Sequence, residues 1–346
     1  MIPKIVRRGL PLLPLAALAG CNTVVMNPTG DIAKQQADLI TISVLLMLII
    51  IVPVMILTVL FAWRYRKNAN AKYEPDWDHS TKLELVIWGA PLLIIIVLGL
   101  ITWVSTHKLD PYRPLDRIDE NRPIPASTKP LEVQVVALDW KWLFIYPEQG
   151  IASVNELVTP VDVPVRFKIT SSTVMNTFYI PTLAGMIYAM PGMETTLNAV
   201  LNKPGDYKGI SANFSGEGFS HMYFAYKGVS AGEFDAWVQK MKTNPGVLNR
   251  ADYLSLEKPS VREPVRYYGA VEPALFNRVV NRCVAEGSVC MNQQMSDDHK
   301  RNQMAAEIRK LQQNPAAQVA NAELEMCVTP EGQAASQATP NNSVKK

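Results

Sequence analysis

The side chains that could hold a redox metal are few in this chain and lie far apart. Its 346 residues include four cysteines, Cys21, Cys283, Cys290 and Cys327, and four histidines. No two cysteines have the Cys-x-x-Cys spacing of zinc or thioredoxin-type chemistry. The stretch most like a metal-binding loop is Ala212-Asn213-Phe214-Ser215-Gly216-Glu217-Gly218-Phe219-Ser220-His221-Met222-Tyr223-Phe224, set between short strand-like segments. A soft redox centre there would need thiolates and imidazoles. The loop offers only His221 and Met222, and no cysteine lies between Cys21 and Cys283. Neighbours on a strand point to opposite faces, so those two side chains are not expected to converge. His221 is expected to be a surface histidine, and no metal is expected. One other ionisable group is marked by its place: Glu84, just before a long apolar run.

The elements that must position these residues begin in the membrane. Leu39 to Trp63 and Leu85 to Thr106 contain no charged residue, and each reaches the roughly 20 residues needed to cross a bilayer. Pro53 lies inside the first run and Pro91 inside the second, which membrane helices tolerate. Trp63, Trp88 and Trp103 sit near the ends, where indoles prefer the interface. The loop 64–84 carries Arg64, Arg66, Lys67, Lys72 and Lys82, which places it in the cytoplasm by the positive-inside rule. Both flanks are then outside.

The N-terminus gives the same orientation independently. Lys4, Arg7 and Arg8 precede a short apolar run, Leu10 to Leu18, and then Leu18-Ala19-Gly20-Cys21. The run is too short to span, and the pattern is similar to a bacterial lipoprotein signal. That similarity implies removal of 1–20, lipidation of Cys21, and an outer-face segment over 21–38. Acyl chains would hold it there, at about 0.8 kcal/mol per buried CH2.

Beyond the spans, Asp110 to Pro130 is rich in proline and charge and is read as a linker. The pattern then turns to a period of two at Leu131–Val135 and Val165–Ile169, with further short candidates at Met186–Met190 and Met222–Tyr226. Turn signals at Pro160, Pro181, Pro191-Gly192 and Pro204-Gly205 separate them. This spacing indicates an antiparallel β-sandwich over 107–229. Ser230-Ala231-Gly232-Glu233 has the form of a capping box. Phe234, Trp237, Val238 and Met241 follow at helical spacing, so an amphipathic helix opens an aromatic-rich, helical extension over 230–295. Residues 296–346 are polar; 296–313 could form a solvated helix, and 314–346 are expected to be disordered. One disulfide among Cys283, Cys290 and Cys327 is plausible outside the cytoplasm, and sequence does not choose the pair. With net charge +3 and 19% charged residues, no basic field supports nucleic-acid binding.

The loop over 212–224 resembles the one that, in subunit II of the haem-copper respiratory oxidases, carries the cysteines, histidine and methionine of a two-copper centre. On that resemblance the cysteine positions fall on Phe214 and Gly218, the histidine on Met222 and the methionine on Ala225. An earlier ligand histidine falls on Asn176, within Val174 to Pro181. Ala137-Leu138-Asp139-Trp140-Lys141-Trp142, Ile180-Pro181-Thr182-Leu183 and Met26-Asn27-Pro28-Thr29-Gly30 also resemble segments of that family, and the order of strands resembles a cupredoxin. A scaffold without copper ligands is the pattern of the bo-type, quinol-oxidising branch. Trp140 and Trp142 are read as packing residues, since a chain without copper needs no electron-entry point. Glu84 resembles an acidic residue near the mouth of a proton-uptake pathway.

The resemblance implies a membrane-anchored all-β protein: a transmembrane helical hairpin over 39–106, a periplasmic cupredoxin-like sandwich and a helical extension. It implies the non-catalytic subunit II of a proton-pumping ubiquinol oxidase in the bacterial inner membrane. Haems and a copper would belong to the partner subunit I; this chain would hold no cofactor. Its partners would be subunit I, the other oxidase subunits, membrane lipid and, through the complex, ubiquinol. One rival is a cytochrome c oxidase subunit II, against which the missing cysteines count. Another is a membrane lipoprotein whose cupredoxin domain serves as an assembly or binding module.

Overall fold

A computed structural model describes residues 23–67, 69, 76–125 and 128–313. Cys21, the signal over 1–20, Lys72, Cys327 and the tail over 314–346 lie outside the described residues.

Two long helices come first, α1 (Asp31–Arg64) and α2 (Thr81–Lys108). Their lengths and compositions suit membrane spans. Their side chains face outward along most of both elements; Leu85 is 75% exposed and Val59 70%. Such a surface is at home in lipid or against another apolar chain, not in water. Both helices outrun the apolar stretches. Asp31, Lys34 and Gln35 continue α1 beyond Leu39, because a helix satisfies its backbone equally well outside the hydrocarbon layer. Residues 31–38, before the apolar run, are therefore helical.

The linker region is also more ordered than its composition suggests. It contains a hairpin of β1 (Arg117–Asp119) and β2 (Arg122–Pro123). Arg122 makes a bidentate pair with Asp162, both bonds 2.9 Å. The Asn202 side chain donates to Ile118 O at 2.9 Å.

Ten strands follow: β3 (Leu131–Leu138), β4 (Lys141–Tyr146), β5 (Ile151–Val154), β6 (Glu156–Pro160), β7 (Pro164–Ser171), β8 (Asn176–Tyr179), β9 (Ile187–Ala189), β10 (Thr195–Val200), β11 (Gly205–Ser211) and β12 (Tyr223–Val229). After them come α3 (Ala231–Lys242), β13 (Val247–Leu248), α4 (Arg250–Glu257), β14 (Arg266–Tyr268), β15 (Ala270–Val271) and α5 (Leu275–Val280). One sheet has the order β10-β7-β3-β4-β5-β14, the other β6-β12-β11-β8-β9. Most pairs are antiparallel, but β3 runs parallel to β7 and β12 parallel to β6.

The two sheets enclose one core, with Val133, Val135, Phe144, Phe167, Phe178, Phe224 and Tyr226 inside it. A second apolar cluster covers the outer face of the larger sheet. There Val136, Leu138, Leu143 and Ile145 meet Tyr253, Leu256, Leu275, Phe276 and Val279 of the extension. The aromatic-rich segment thus packs on the sandwich, and Arg266–Tyr268 pairs with β5 as the sixth strand of its sheet. Because β4 is buried on both faces, its sequence after Lys141 reads as an unbroken apolar run and not as an alternation.

The capping box at the head of α3 forms as its spacing predicts. Ser230 Oγ accepts from Glu233 N, and the Glu233 carboxylate accepts from Ser230 N. The apolar face of α3 buries Phe234, Val238 and Met241. Cys283 and Cys290 are both disulfide-bonded. A separate unit begins at Val289 and contains the polar helix α6 (Met291–Gln313).

Candidate functional site

The loop after β11 contains a turn of 3-10 helix, Phe219–His221, before β12 starts at Tyr223. His221 therefore sits in a turn and not on a strand. It is half-buried, and its Nε2 lies 3.3 Å from Arg262 Nη2. Met222 turns inward and is 2% exposed. The Ser215 hydroxyl donates to its sulfur at 3.8 Å.

Three of the five positions to which the resemblance assigns copper ligands elsewhere in the family share one neighbourhood. Asn176, 1% exposed, donates from Nδ2 to Val174 O at 3.2 Å and accepts from Ser211 Oγ at 3.2 Å. Ser211 N in turn donates to Met222 O. Gly218 is buried at the head of the 3-10 turn. The other two positions do not join them. Phe214 is 76% exposed, and its ring meets Phe219 edge-on, ring centres 5.6 Å apart. Ala225 lies between Phe224 and Tyr226, both core residues, so alternation turns it to the opposite face of its strand.

A residue outside these five fills the space. Trp140, in the two-residue turn between β3 and β4, has φ +66°, a conformation uncommon outside glycine. This aims its indole at the loop, where Nε1 donates to Ser215 O at 3.1 Å. A Cβ on Gly218 would come 2.4 Å from Cγ and Cδ2 of that ring. Trp142 points the other way, into the core, with Phe178 and Phe224 edge-on at 5.5 and 5.6 Å. Both tryptophans are packing residues, but Trp140 packs on the loop itself. Sequence reading did not reveal that contact; its trace is the pair of glycines, Gly216 and Gly218, that leave room for the ring. Gly218→Ala should cost about 1–3 kcal/mol as an overpacking change and move the Trp140 indole toward water. Denaturation monitored by tryptophan emission checks this; an unchanged midpoint with unshifted emission would refute the contact.

The fit to a two-copper centre can be judged from these donors. An amide, a phenyl ring, a glycine, a thioether and a methyl group offer one soft ligand and no thiolate or imidazole. Among the described residues no group of three or more His, Cys, Asp or Glu side chains gathers. The residues present do not fit such a centre.

Next to Trp140, Lys141 is buried at 1% exposure. Its ammonium donates to Lys258 O at 2.8 Å and Ser260 Oγ at 2.7 Å, clasping the extension to the β3–β4 turn. Burial pulls its pKa below the ordinary lysine value. Glu84 lies in the first turn of α2, half-exposed, with its carboxylate 2.6 Å from His79 Nδ1.

A two-sheet sandwich covered by an aromatic extension and preceded by two helices of membrane-spanning length defines a class. Residues 131–229 match the family described as "Cytochrome C oxidase subunit II, periplasmic domain", and residues 242–287 match "COX Aromatic Rich Motif". Cytochrome bo(3) ubiquinol oxidase subunit 2 of Pseudomonas putida is 50% identical over 274 residues, covering 79% of this chain and 84% of that one. Ubiquinol oxidase subunit 2 of Acetobacter aceti is 49% identical over 281 residues, covering 81% and 89%. The solved periplasmic domain of subunit II of cytochrome oxidase (CoxB) of Bradyrhizobium japonicum is 26% identical, covers 32% of this chain and 91% of its own, and has a TM-score of 0.31. The chain belongs to the family of ubiquinol oxidase subunit 2, the quinol-oxidising branch of oxidase subunit II.

Proposed function

We propose that this chain serves a terminal ubiquinol oxidase without a catalytic centre of its own. Electrons pass from ubiquinol to oxygen through haems and a copper held by the partner subunit I, and this chain buttresses that subunit and caps it on the periplasmic side. The observation that carries this reading is the packing of Trp140 onto Gly218, which gives the former ligand loop over to structure. The helices anchor the chain in the inner membrane, with Cys21 acylated at the outer face and the sandwich in the periplasm. The basic loop residues Arg64, Arg66, Lys67 and Lys82 support that orientation. Glu84, held by His79 at the cytoplasmic end of α2, stands at the entrance of a proton-uptake route for a proton-pumping complex.

The test is oxygen uptake by the complete membrane complex, purified through a tag on this chain. Uptake is expected with ubiquinol and not with reduced cytochrome c. Uptake with cytochrome c, or stoichiometric copper in this chain after separation, would overturn the reading.

A further inference from the structure

The oxidase reading makes no use of a cavity of about 210 Å³ where both helices meet the linker, lined in part by Lys108, Arg113, Arg117, Asp31, Asp110 and Asp116. Its height in the bilayer follows from helix geometry. The charge-free run of α1 begins at Leu39 and that of α2 ends at Thr106. At 1.5 Å per residue, Gln35 and Lys108 stand about 6 and about 3 Å outside the hydrocarbon edge. The polar layer of a bilayer leaflet is roughly 5–8 Å thick, so the cavity lies at the level of lipid headgroups. Trp103, 69% exposed one turn below Lys108, marks the same boundary.

The lining carries charge of both signs, and cations and carboxylates alike keep hydrogen-bonding capacity to spare. Asp31, buried at 4% exposure, accepts from Arg117 Nε at 3.0 Å and Gln35 Nε2 at 2.7 Å. Asp116 pairs with Arg113 Nη2 at 2.8 Å, and Asp110 Oδ1 accepts from Tyr112 N at 2.9 Å. Among the described residues no carboxylate lies within ion-pair distance of Lys108. Arg113 and Arg117 each have a single carboxylate partner there, and a guanidinium has five donors. Ile32 and Leu115 supply apolar lining.

We propose that this cavity holds the headgroup of a zwitterionic aminophospholipid of the outer leaflet. Its phosphate lies against Lys108, Arg113 and Arg117, and its ammonium lies against Asp110 and Asp116. Phosphate suits the spare guanidinium donors. An anionic headgroup without an amine would meet the same cations but would also face the carboxylates with nothing to offer them. Three cations and three carboxylates balance, which favours a ligand that is itself balanced. The lipid would then mortar the helix ends to the linker at the membrane surface.

The test is native mass spectrometry of the intact, delipidated membrane complex titrated with phosphatidylethanolamine, phosphatidylglycerol or inorganic phosphate. Wild type is compared with the double variant Lys108→Gln, Arg113→Gln and with Lys129→Gln, at an exposed ion pair away from the cavity. All replaced side chains are exposed, so the fold should persist, and a thermal melt verifies it. In the double variant the affinity for one phosphatidylethanolamine molecule should fall about tenfold, the scale of losing a hydrogen bond to a charged group. Lys129→Gln should change nothing. Equal retention of phosphatidylethanolamine by wild type and the double variant would overturn the site. Equal loss of phosphatidylglycerol would overturn the zwitterion, and displacement of the lipid by inorganic phosphate would make it a free-anion site. None of these outcomes depends on the electron donor.

Discussion

Phe224→Ala lowers the stability of the sandwich by about 3–5 kcal/mol, the range for removing a buried aromatic ring. Phe224 is 1% exposed and is the hub of the aromatic core. Its ring stacks with Phe178 at 5.5 Å, lies 4.9 Å from Phe144 and meets Trp142 edge-on at 5.6 Å. The neighbouring strand approaches so closely that a Cβ on Gly209 would fall 1.9 Å from Phe224 Cζ. A ring this enclosed cannot be replaced by collapse of one neighbour, so a cavity remains. Equilibrium denaturation of the full chain in detergent, followed through tryptophan fluorescence, measures the loss. Gly209→Ala, which drives a methyl group into the same ring, should also destabilise strongly. If both changes cost under about 1 kcal/mol, well below what core disruption requires, this view of the core is wrong.

The second large effect is a steep loss of stability in alkali. An unfolded chain ionises its tyrosines near pH 10. In the folded chain, burial pushes the hydroxyls of Tyr146, Tyr226 and Tyr253 far above that. The Tyr146 hydroxyl donates to Val158 O and accepts from Val158 N, and the Tyr226 hydroxyl shares a bond with Thr159. Above pH 10 the folded state therefore binds more protons than the unfolded state, and stability falls as pH rises. Each tyrosine contributes about 1.4 kcal/mol per pH unit, so the three together give about 4 kcal/mol per unit. Lys141 acts with the opposite sign and at lower pH. Its folded pKa is depressed by burial, so between that value and the ordinary lysine pKa the unfolded chain holds the extra proton and stability rises with pH. The profile should climb gently toward pH 10 and then drop. Denaturation midpoints between pH 8 and 12 record it, and Tyr226→Phe should lower the alkaline slope by about 1.4 kcal/mol per pH unit. A flat profile above pH 10 would mean these hydroxyls reach water.

The sequence spoke most clearly where one physical pressure acted alone. Lipid demands an uncharged run, so Leu39–Trp63 and Leu85–Thr106 were legible as spans. Hydropathy reports the hydrocarbon crossing and not the helix, which is why the extra turns from Asp31 were not. Alternation was plain in β3 and β7, where much of the strand has one open side. It vanished in β4, where Leu143 and Ile145 are buried by the extension and Phe144 by the sandwich core. The β1–β2 hairpin is too short to show any period. At the candidate site, residue types were readable because chemistry depends on them: Asn176 and Gly218 offer neither an imidazole nor a thiolate. What packs onto the loop was not readable. It depends on a left-handed turn residue, Trp140, reaching a loop 75 positions away, and no local pattern encodes that.

The join between the first helix and the sandwich has a mechanical meaning. Thr29 N and Gly30 N both donate to Thr182 O, Ala33 N donates to Leu183 O, and Asn202 N donates to Thr29 O. A Cβ at Gly30 would come 2.6 Å from Leu183 O and 2.7 Å from Val200 O, so the backbones meet without a spacer. The sandwich is thus fastened to the head of α1 and does not hang from a tether. A span adapts to a thinner bilayer by tilting. Here the backbone bonds at 29–33 tie the helix head directly to the sandwich. A change of bilayer thickness that tilts α1 would then reach the sandwich as a change of its orientation.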